Sequence, residues 1–179
     1  MNSGSITLIL GPMFAGKSTY LLAQERKSKI AKKKVVCVKY HLDTRYTSGT
    51  EITTHNKDMS TAPSYSVSSL SSIYSELINY DVILIDEGQF FNDLTSVSED
   101  LASKGKHITI AALGSDYKRN AFISITELLP KVDHIEYFKA ICPQCGENAS
   151  FTSRLINQNS QTFIGGSESY EPRCRKCFT

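Results

Sequence analysis

The chain has 179 residues, a net charge of +2 and 40% hydrophobic residues, which suits one globular domain with a buried core, alone or with a small appendage, and implies no bulk polyanion partner. Its longest apolar stretches are strand-sized, so neither a membrane span nor a membrane partner is expected. The first apolar run starts within a few residues of Met1, which leaves no room for an export signal; the expected setting is cytoplasmic and reducing, and the five cysteines are not read as a disulfide framework.

Ile6, Leu8 and Leu10 belong to a short apolar run with the character of a buried strand. It runs into GPMFAGKS at residues 11–18, which fits G-x-x-x-x-G-K-[ST], the phosphate-binding loop of nucleotide hydrolases and kinases. The following residues, from Thr19 to Arg26, contain no breaker and predict a helix. In that setting the main-chain N–H groups of Gly11, Pro12, Met13, Phe14, Ala15 and Gly16, proline excepted, converge on phosphate oxygens at the positive end of a helix dipole. Lys17 is expected to reach the β- and γ-phosphates of ATP, and the Ser18 hydroxyl to take a position on Mg²⁺. The basic run at residues 26–34 is either a nucleic-acid patch or a solvated helix end whose cations meet the negative dipole terminus; the second is favoured.

Val35-Val36-Cys37-Val38-Lys39-Tyr40 predicts a second strand, with Cys37 as a core thiol. Residues 41–59 are polar and irregular, as a surface loop or a functional loop is. Residues 60–75 are rich in serine and threonine, but Leu70, Ile73, Tyr74 and Leu77 recur at helical spacing, so a loop followed by a crossover helix is expected. Val82-Ile83-Leu84-Ile85 has the unbroken apolar character of a central parallel strand and ends in Asp86-Glu87. Ligands of such sheets lie beyond the carboxyl ends of the strands, where Asp86 is placed to hold Mg²⁺ with Ser18 and Glu87 to accept a proton. A helix around Leu94–Ser103 and a strand at His107–Leu113 follow. Strands alternating with helices give an α/β fold with a parallel sheet.

Near the other end, Cys142-Pro143-Gln144-Cys145 and Cys174-Arg175-Lys176-Cys177 form two C-x-x-C pairs. Their separation exceeds the roughly 15–20 residues of short zinc fingers, but four thiolates still make a closed structural Zn²⁺ site. Gly146 suits the turn of such a knuckle, and Arg173, Arg175 and Lys176 offset the charge of four thiolates. The metal then clamps the long enclosed segment, whose paired Gly165-Gly166 suit closure over a small ligand.

Together these motifs resemble the thymidine kinase family, most of all its cellular and poxviral members, over nearly the whole length. The resemblance rests on GPMFAGKS, on KYHLDTRY with TTH after it, on DEGQFF, on AAL at 111–113 and on CPQC…FIGG…Y…CRKC. It implies a phosphate-loop (RecA-like) sheet flanked by helices over residues 1–140 and a zinc-held lasso over 141–179. It implies transfer of the ATP γ-phosphate to the 5′-hydroxyl of thymidine, with deoxyuridine and analogues also accepted. Glu87 matches the family's general base, Arg45 the arginine that stabilises phosphate charge, and Asp43 the acid beside it among the phosphate-binding residues. Met13, Phe90, Leu113, Tyr117, Phe122 and Tyr170 fall on positions that enclose the nucleoside. Phe163, Ile164 and Gly165 fall where lasso main-chain atoms meet the thymine edge. Phe91 and Phe151 are expected to be ordinary core residues. A homotetramer inhibited by thymidine triphosphate is a further implication, with no nucleic-acid partner. The chain departs from the pattern where an acid usually follows the leucine at 113: Gly114-Ser115-Asp116 stands there, and a substitute role for Asp116 stays open. Asn120-Ala121 replaces a common Lys-Pro. The rival is a phosphate-loop ATPase whose zinc knuckle binds nucleic acid.

Overall fold

The computed structural model describes residues 3–43, 49–54, 58–158, 160, 161, 163 and 165–178. Six parallel strands form its central sheet: β1 (Ser5–Gly11), β2 (Val35–Tyr40), β3 (Ser64–Val67), β4 (Val82–Ile85), β5 (His107–Leu113) and β6 (His134–Tyr137). Their spatial order is β3-β2-β4-β5-β1-β6, so β5 stands between the strand that feeds the glycine loop and the strand that ends in Asp86-Glu87.

Successive strand residues point to opposite faces, and here both faces are buried. Ile6, Leu8, Leu10, Val36, Val38, Ile83, Ile85, Ile108 and Ile110 pack on one side with Leu94, Val97 and Leu101 of α3 (Leu94–Ser103) and Ile125 and Leu128 of α4 (Ile123–Leu128). Val35, Cys37, Val82, Leu84 and Ala111 pack on the other with Leu21 and Leu22 of α1 (Lys17–Ile30). This two-sided burial is why Val82–Ile85 shows no polar alternation. Cys37 is a core thiol, pushed up to about 12 by burial and by the nearby Glu25 carboxylate.

Helix α1 keeps only a narrow apolar stripe, and Glu25, itself buried, continues it. Burial alone would raise the Glu25 carboxyl, but hydrogen bonds from Lys29 Nζ (2.6 Å), Thr61 Oγ1 (2.9 Å) and Thr61 N–H (3.0 Å) outweigh it and hold it low. The helix is thereby tied to the chain just before β3. Residues 26, 27 and 29–34 are exposed, in keeping with a solvated helix end, and Lys27 and Lys29 occupy the last turn.

Two expectations need correction, and two elements were missed. Residues 64–67 are not loop but the edge strand β3, which pairs with β2 from Cys37–Ser64 to Tyr40–Val67. The expected crossover helix is a single 3₁₀ turn (Ser71–Ile73) running into one helical turn, α2 (Tyr74–Leu77), although Leu70 and Leu77 are buried as the spacing predicts. Strand β6 on the opposite edge and helix α4 were not anticipated at all.

Asp93, just before α3, turns its carboxylate back onto that 3₁₀ turn. It accepts from Ser69 Oγ (2.7 Å), Ser71 N–H (2.8 Å), Ser71 Oγ (2.7 Å) and Leu70 N–H (3.2 Å). Burial would raise its carboxyl, but these donors prevail and hold it below the ordinary value. A lowered folded value means the stabilisation is complete above the ordinary aspartate range near 3.9 and is lost as pH falls through the folded value. Asp93→Ala is therefore expected to cost about 2 kcal/mol in urea unfolding at pH 7, with the gap to wild type narrowing below about pH 4.

The C-terminal part is built from two short antiparallel pairs. Strand β7 (Ala140–Ile141) pairs with β8 (Asn148–Ala149), and β9 (Phe151–Arg154) with β10 (Tyr170–Arg173). Cys142 and Cys145 lie in the hairpin after β7, and Cys174 and Cys177 in the turn after β10. Among the described residues no helix is long and apolar enough to cross a membrane.

Candidate active site

Strands β1, β4 and β5 end on the same edge of the sheet, and their C-terminal loops meet there. Gly16 precedes α1 with φ 85°, a left-handed conformation that a side chain resists, and a Cβ there would meet nothing within 4 Å. The open space over Gly16 lies at the start of α1, where a phosphate is favoured. Lys17 is buried and curls back to donate to the Pro12 carbonyl at 2.7 Å. Ser18 Oγ donates to Asp86 Oδ2 at 2.8 Å, so the hydroxyl and carboxylate expected to share a cation are already in contact. Asp86 Oδ1 accepts from the Glu87 N–H at 3.0 Å.

Glu87 has φ 54° and ψ 41°, a left-handed conformation costing of order 1–3 kcal/mol in a non-glycine residue. Phe14 in the glycine loop shares this feature at φ 64°. Such strain collects where side-chain direction matters. It leaves Glu87 buried and facing a pocket of about 510 Å³ of empty space, part of it open to solvent.

Met13, Phe90, Leu113, Tyr117, Phe122, Phe163, Gly165 and Tyr170, assigned to the nucleoside by resemblance, all line this pocket together with Glu87. Asp43, grouped beforehand with the phosphate-binding residues, lines the pocket too. Arg45 and Ile164 lie outside the described residues. Phe90 and Phe122 meet edge to face at 6.1 Å, and Tyr40 backs Phe90 at 5.3 Å. Phe91 is fully buried in the core, as expected. Phe151, also expected in the core, is half-buried and packs outside the pocket on Phe178. A Cβ on Gly165 would come within 2.5 Å of Ser169 Oγ, so the chain passes there only without a side chain.

Several pocket residues were not anticipated. Thr152 Oγ1 accepts the Met13 N–H at 3.0 Å and so joins β9 to the glycine loop. Arg154 donates to the carbonyls of Gln158 (2.7 Å) and Ser160 (2.6 Å) and to the Tyr170 hydroxyl (2.7 Å), and its guanidinium lies 3.7 Å from the Tyr117 ring centre. The Tyr170 hydroxyl in turn donates a hydrogen bond to the Phe163 carbonyl at 2.6 Å. Asp116 is buried and accepts from the N–H groups of Lys118 and Asn120, both at 2.8 Å, and from the side chains of Asn120 (3.1 Å) and Gln161 (3.2 Å). Its carboxylate shapes the loop after β5 and ties it to the lasso, and the departing Asn120 serves the same turn. No sequence spacing signals the Thr152–Met13 and Gln161–Asp116 contacts, because the partners lie far apart along the chain.

The Sγ atoms of Cys142, Cys145, Cys174 and Cys177 all lie within 4.8 Å of one another, with Cys145 and Cys174 at 3.6 Å. Tetrahedral thiolates about 2.3 Å from a zinc ion stand about 3.8 Å apart, so the set fits that ion. The Cys174 N–H, with other main-chain donors, brings the Cys142 thiol down to about 6, whereas the Cys145 and Cys174 thiols beside it push Cys177 up to about 12. Four sulfurs this close ionise together only around a cation. Beside the cluster, Arg173 is engaged by Glu171 through Nε (2.7 Å) and Nη2 and donates to the Cys177 carbonyl (3.4 Å), and Arg175 lies over the Phe151 ring. Ala15 of the glycine loop packs against the cysteine cluster.

A family model described as "Thymidine kinase" matches residues 4–178. The chain is 40% identical over 178 residues to the thymidine kinase of sheeppox virus (strain KS-1), covering 99% of this chain and 98% of that protein. It is 41% identical over 179 residues to the thymidine kinase of myxoma virus (strain Lausanne), with the same coverage. Among solved structures it is similar in fold to the flagellar accessory protein FlaH of Methanocaldococcus jannaschii, with a TM-score of 0.57, 15% identity, and coverage of 97% of this chain and 88% of that one.

Proposed function

Because the chain belongs to the thymidine kinase family, we propose that it moves the γ-phosphate of ATP to the 5′-hydroxyl of thymidine, and of deoxyuridine and close analogues. The observation that carries this reading is the shared border of two sites. Met13 belongs to the phosphate loop and lines the pocket, and Glu87 lines the pocket beside Asp86, which meets Ser18. A nucleoside in the pocket therefore has its alcohol between a carboxylate base and a bound triphosphate.

In this mechanism the main-chain N–H groups of the glycine loop cradle the phosphates, apart from that of Met13, which Thr152 holds, and Lys17 exchanges the Pro12 carbonyl for phosphate oxygens. Ser18 and Asp86 would hold Mg²⁺, which when bound neutralises charge on the β- and γ-phosphates. Glu87 takes the 5′-hydroxyl proton as the alcohol oxygen bonds to the γ-phosphorus and ADP leaves. Arg45 keeps by resemblance the role of stabilising the transferring phosphoryl group, with Asp43 beside it. Met13, Phe90, Phe122 and Tyr170 enclose base and sugar, and the main chain at Phe163, Ile164 and Gly165 meets the thymine edge. The four cysteines hold a structural zinc ion that fixes the lasso. Residues 1–140 and 141–179 act as catalytic and lasso units. A homotetramer and inhibition by thymidine triphosphate, which carries both the base and a triphosphate, complete the proposal.

The test is incubation of purified protein with ATP, Mg²⁺ and each of the four deoxynucleosides in turn. Thymidine monophosphate is the expected product, with no turnover of the purine deoxynucleosides. ADP release that ignores nucleosides and rises with added DNA or RNA would overturn the proposal.

A further inference from the structure

Gln89 is buried within the 3₁₀ turn Gly88–Phe90 that follows the two acids, and every polar atom of its side chain is committed. Its Oε1 accepts the Leu113 N–H at the end of β5 (3.0 Å), which leaves Nε2 to donate to Glu87 Oε2 (2.5 Å). Its main-chain carbonyl accepts the Ser124 hydroxyl at 2.9 Å, pinning the turn to the start of α4. The amide therefore spans from the last residue of one strand to the carboxylate that follows another.

From this geometry we infer that Gln89 is the positioning residue of the phosphoryl transfer: it fixes which way the Glu87 carboxylate faces in the pocket. The inference rests on the role of Glu87 proposed above. A carboxylate on a left-handed residue, reached through a flexible side chain, has several rotamers open to it. A hydrogen bond from an amide that is itself held at its far end favours one of them. Gln89 is absent from the pocket lining, so its influence on the reaction passes through Glu87.

Gln89→Met keeps the length and the unbranched shape of the side chain but removes both hydrogen bonds. The expected result is a fall in kcat of about 30- to 100-fold, the range for a misplaced catalytic group, with the KM for thymidine and for ATP each within about 3-fold of wild type. The decisive comparison adds the same change to Glu87→Gln. If Gln89 acts by orienting the base, the double variant turns over no more slowly than Glu87→Gln alone. A residue needed only for folding would lower the two backgrounds by the same factor, and that outcome overturns the inference. Near-normal kcat for Gln89→Met overturns it as well. Should the methionine variant fail to fold, Gln89→Asn keeps the amide but is too short to bridge Leu113 and Glu87. It is expected to lower kcat about 10-fold in wild type and not at all in Glu87→Gln, and equal loss in both counts against the inference. If Glu87→Gln itself turns over normally, the proposed base role fails, which is distinct from failure of the Gln89 inference.

Discussion

Glu87→Gln lowers kcat by about 100-fold or more while ATP still binds, as expected when a general base is removed and nothing else is. The substitution preserves shape and leaves a hydrogen-bonding partner for the Gln89 amide, so the pocket wall is retained. The Ser18–Asp86 and Lys17–Pro12 contacts do not involve residue 87, and the Glu87 N–H that meets Asp86 is main chain and is kept. The KM for ATP is therefore expected to stay within about 3-fold, and the loss to appear in single-turnover rates. Near-normal turnover in this variant removes Glu87 from the base role.

Cys145→Ser abolishes metal binding and loosens the pocket from its C-terminal side. One zinc per chain is expected in the wild type and none in the variant, by metal analysis of purified protein. Structural zinc sites contribute folding energy outright, so a loss of at least ~3 kcal/mol in stability is expected. The functional consequence reaches past the lasso. The cysteine cluster packs on Ala15, and β9 supplies the hydroxyl that holds the Met13 N–H. Thymidine affinity is therefore expected to fall most, but the KM for ATP also rises, by about 5-fold if one hydrogen bond worth about 1 kcal/mol is lost. A variant without zinc but with both KM values unchanged would break the link between the metal and the pocket.

What was legible in the sequence follows from where each residue is buried. The four strands β1, β2, β4 and β5 occupy the middle of the sheet with both faces covered, and their runs of Ile, Leu and Val announce them. The two strands that were missed are the edges. Ser64–Val67 is half-buried and half serine, and His134–Tyr137 is largely exposed, so neither carries the apolar signal of a strand. Helix α4 is too short to establish a period.

The phosphate loop, the Asp86-Glu87 pair and the four cysteines were legible because their chemistry needs fixed residue types at fixed spacing. Thr152 and Arg154 were not, since a threonine that holds Met13 from 139 residues away leaves no trace in local spacing. Asp116 shows the same limit in another form. The sequence displayed a displaced acid, and only the fold shows that its carboxylate is spent on the turn through Asn120 and on Gln161.

The most direct test of the central claim, that one pocket brings a nucleoside alcohol between Glu87 and the phosphate loop, is a crystal structure of the protein with thymidine bound. The expected result is the 5′-oxygen within about 3 Å of the Glu87 carboxylate, with the base enclosed by Phe90, Phe122 and Tyr170. A sugar oxygen turned away from Glu87, or a ligand seated elsewhere on the molecule, would contradict it.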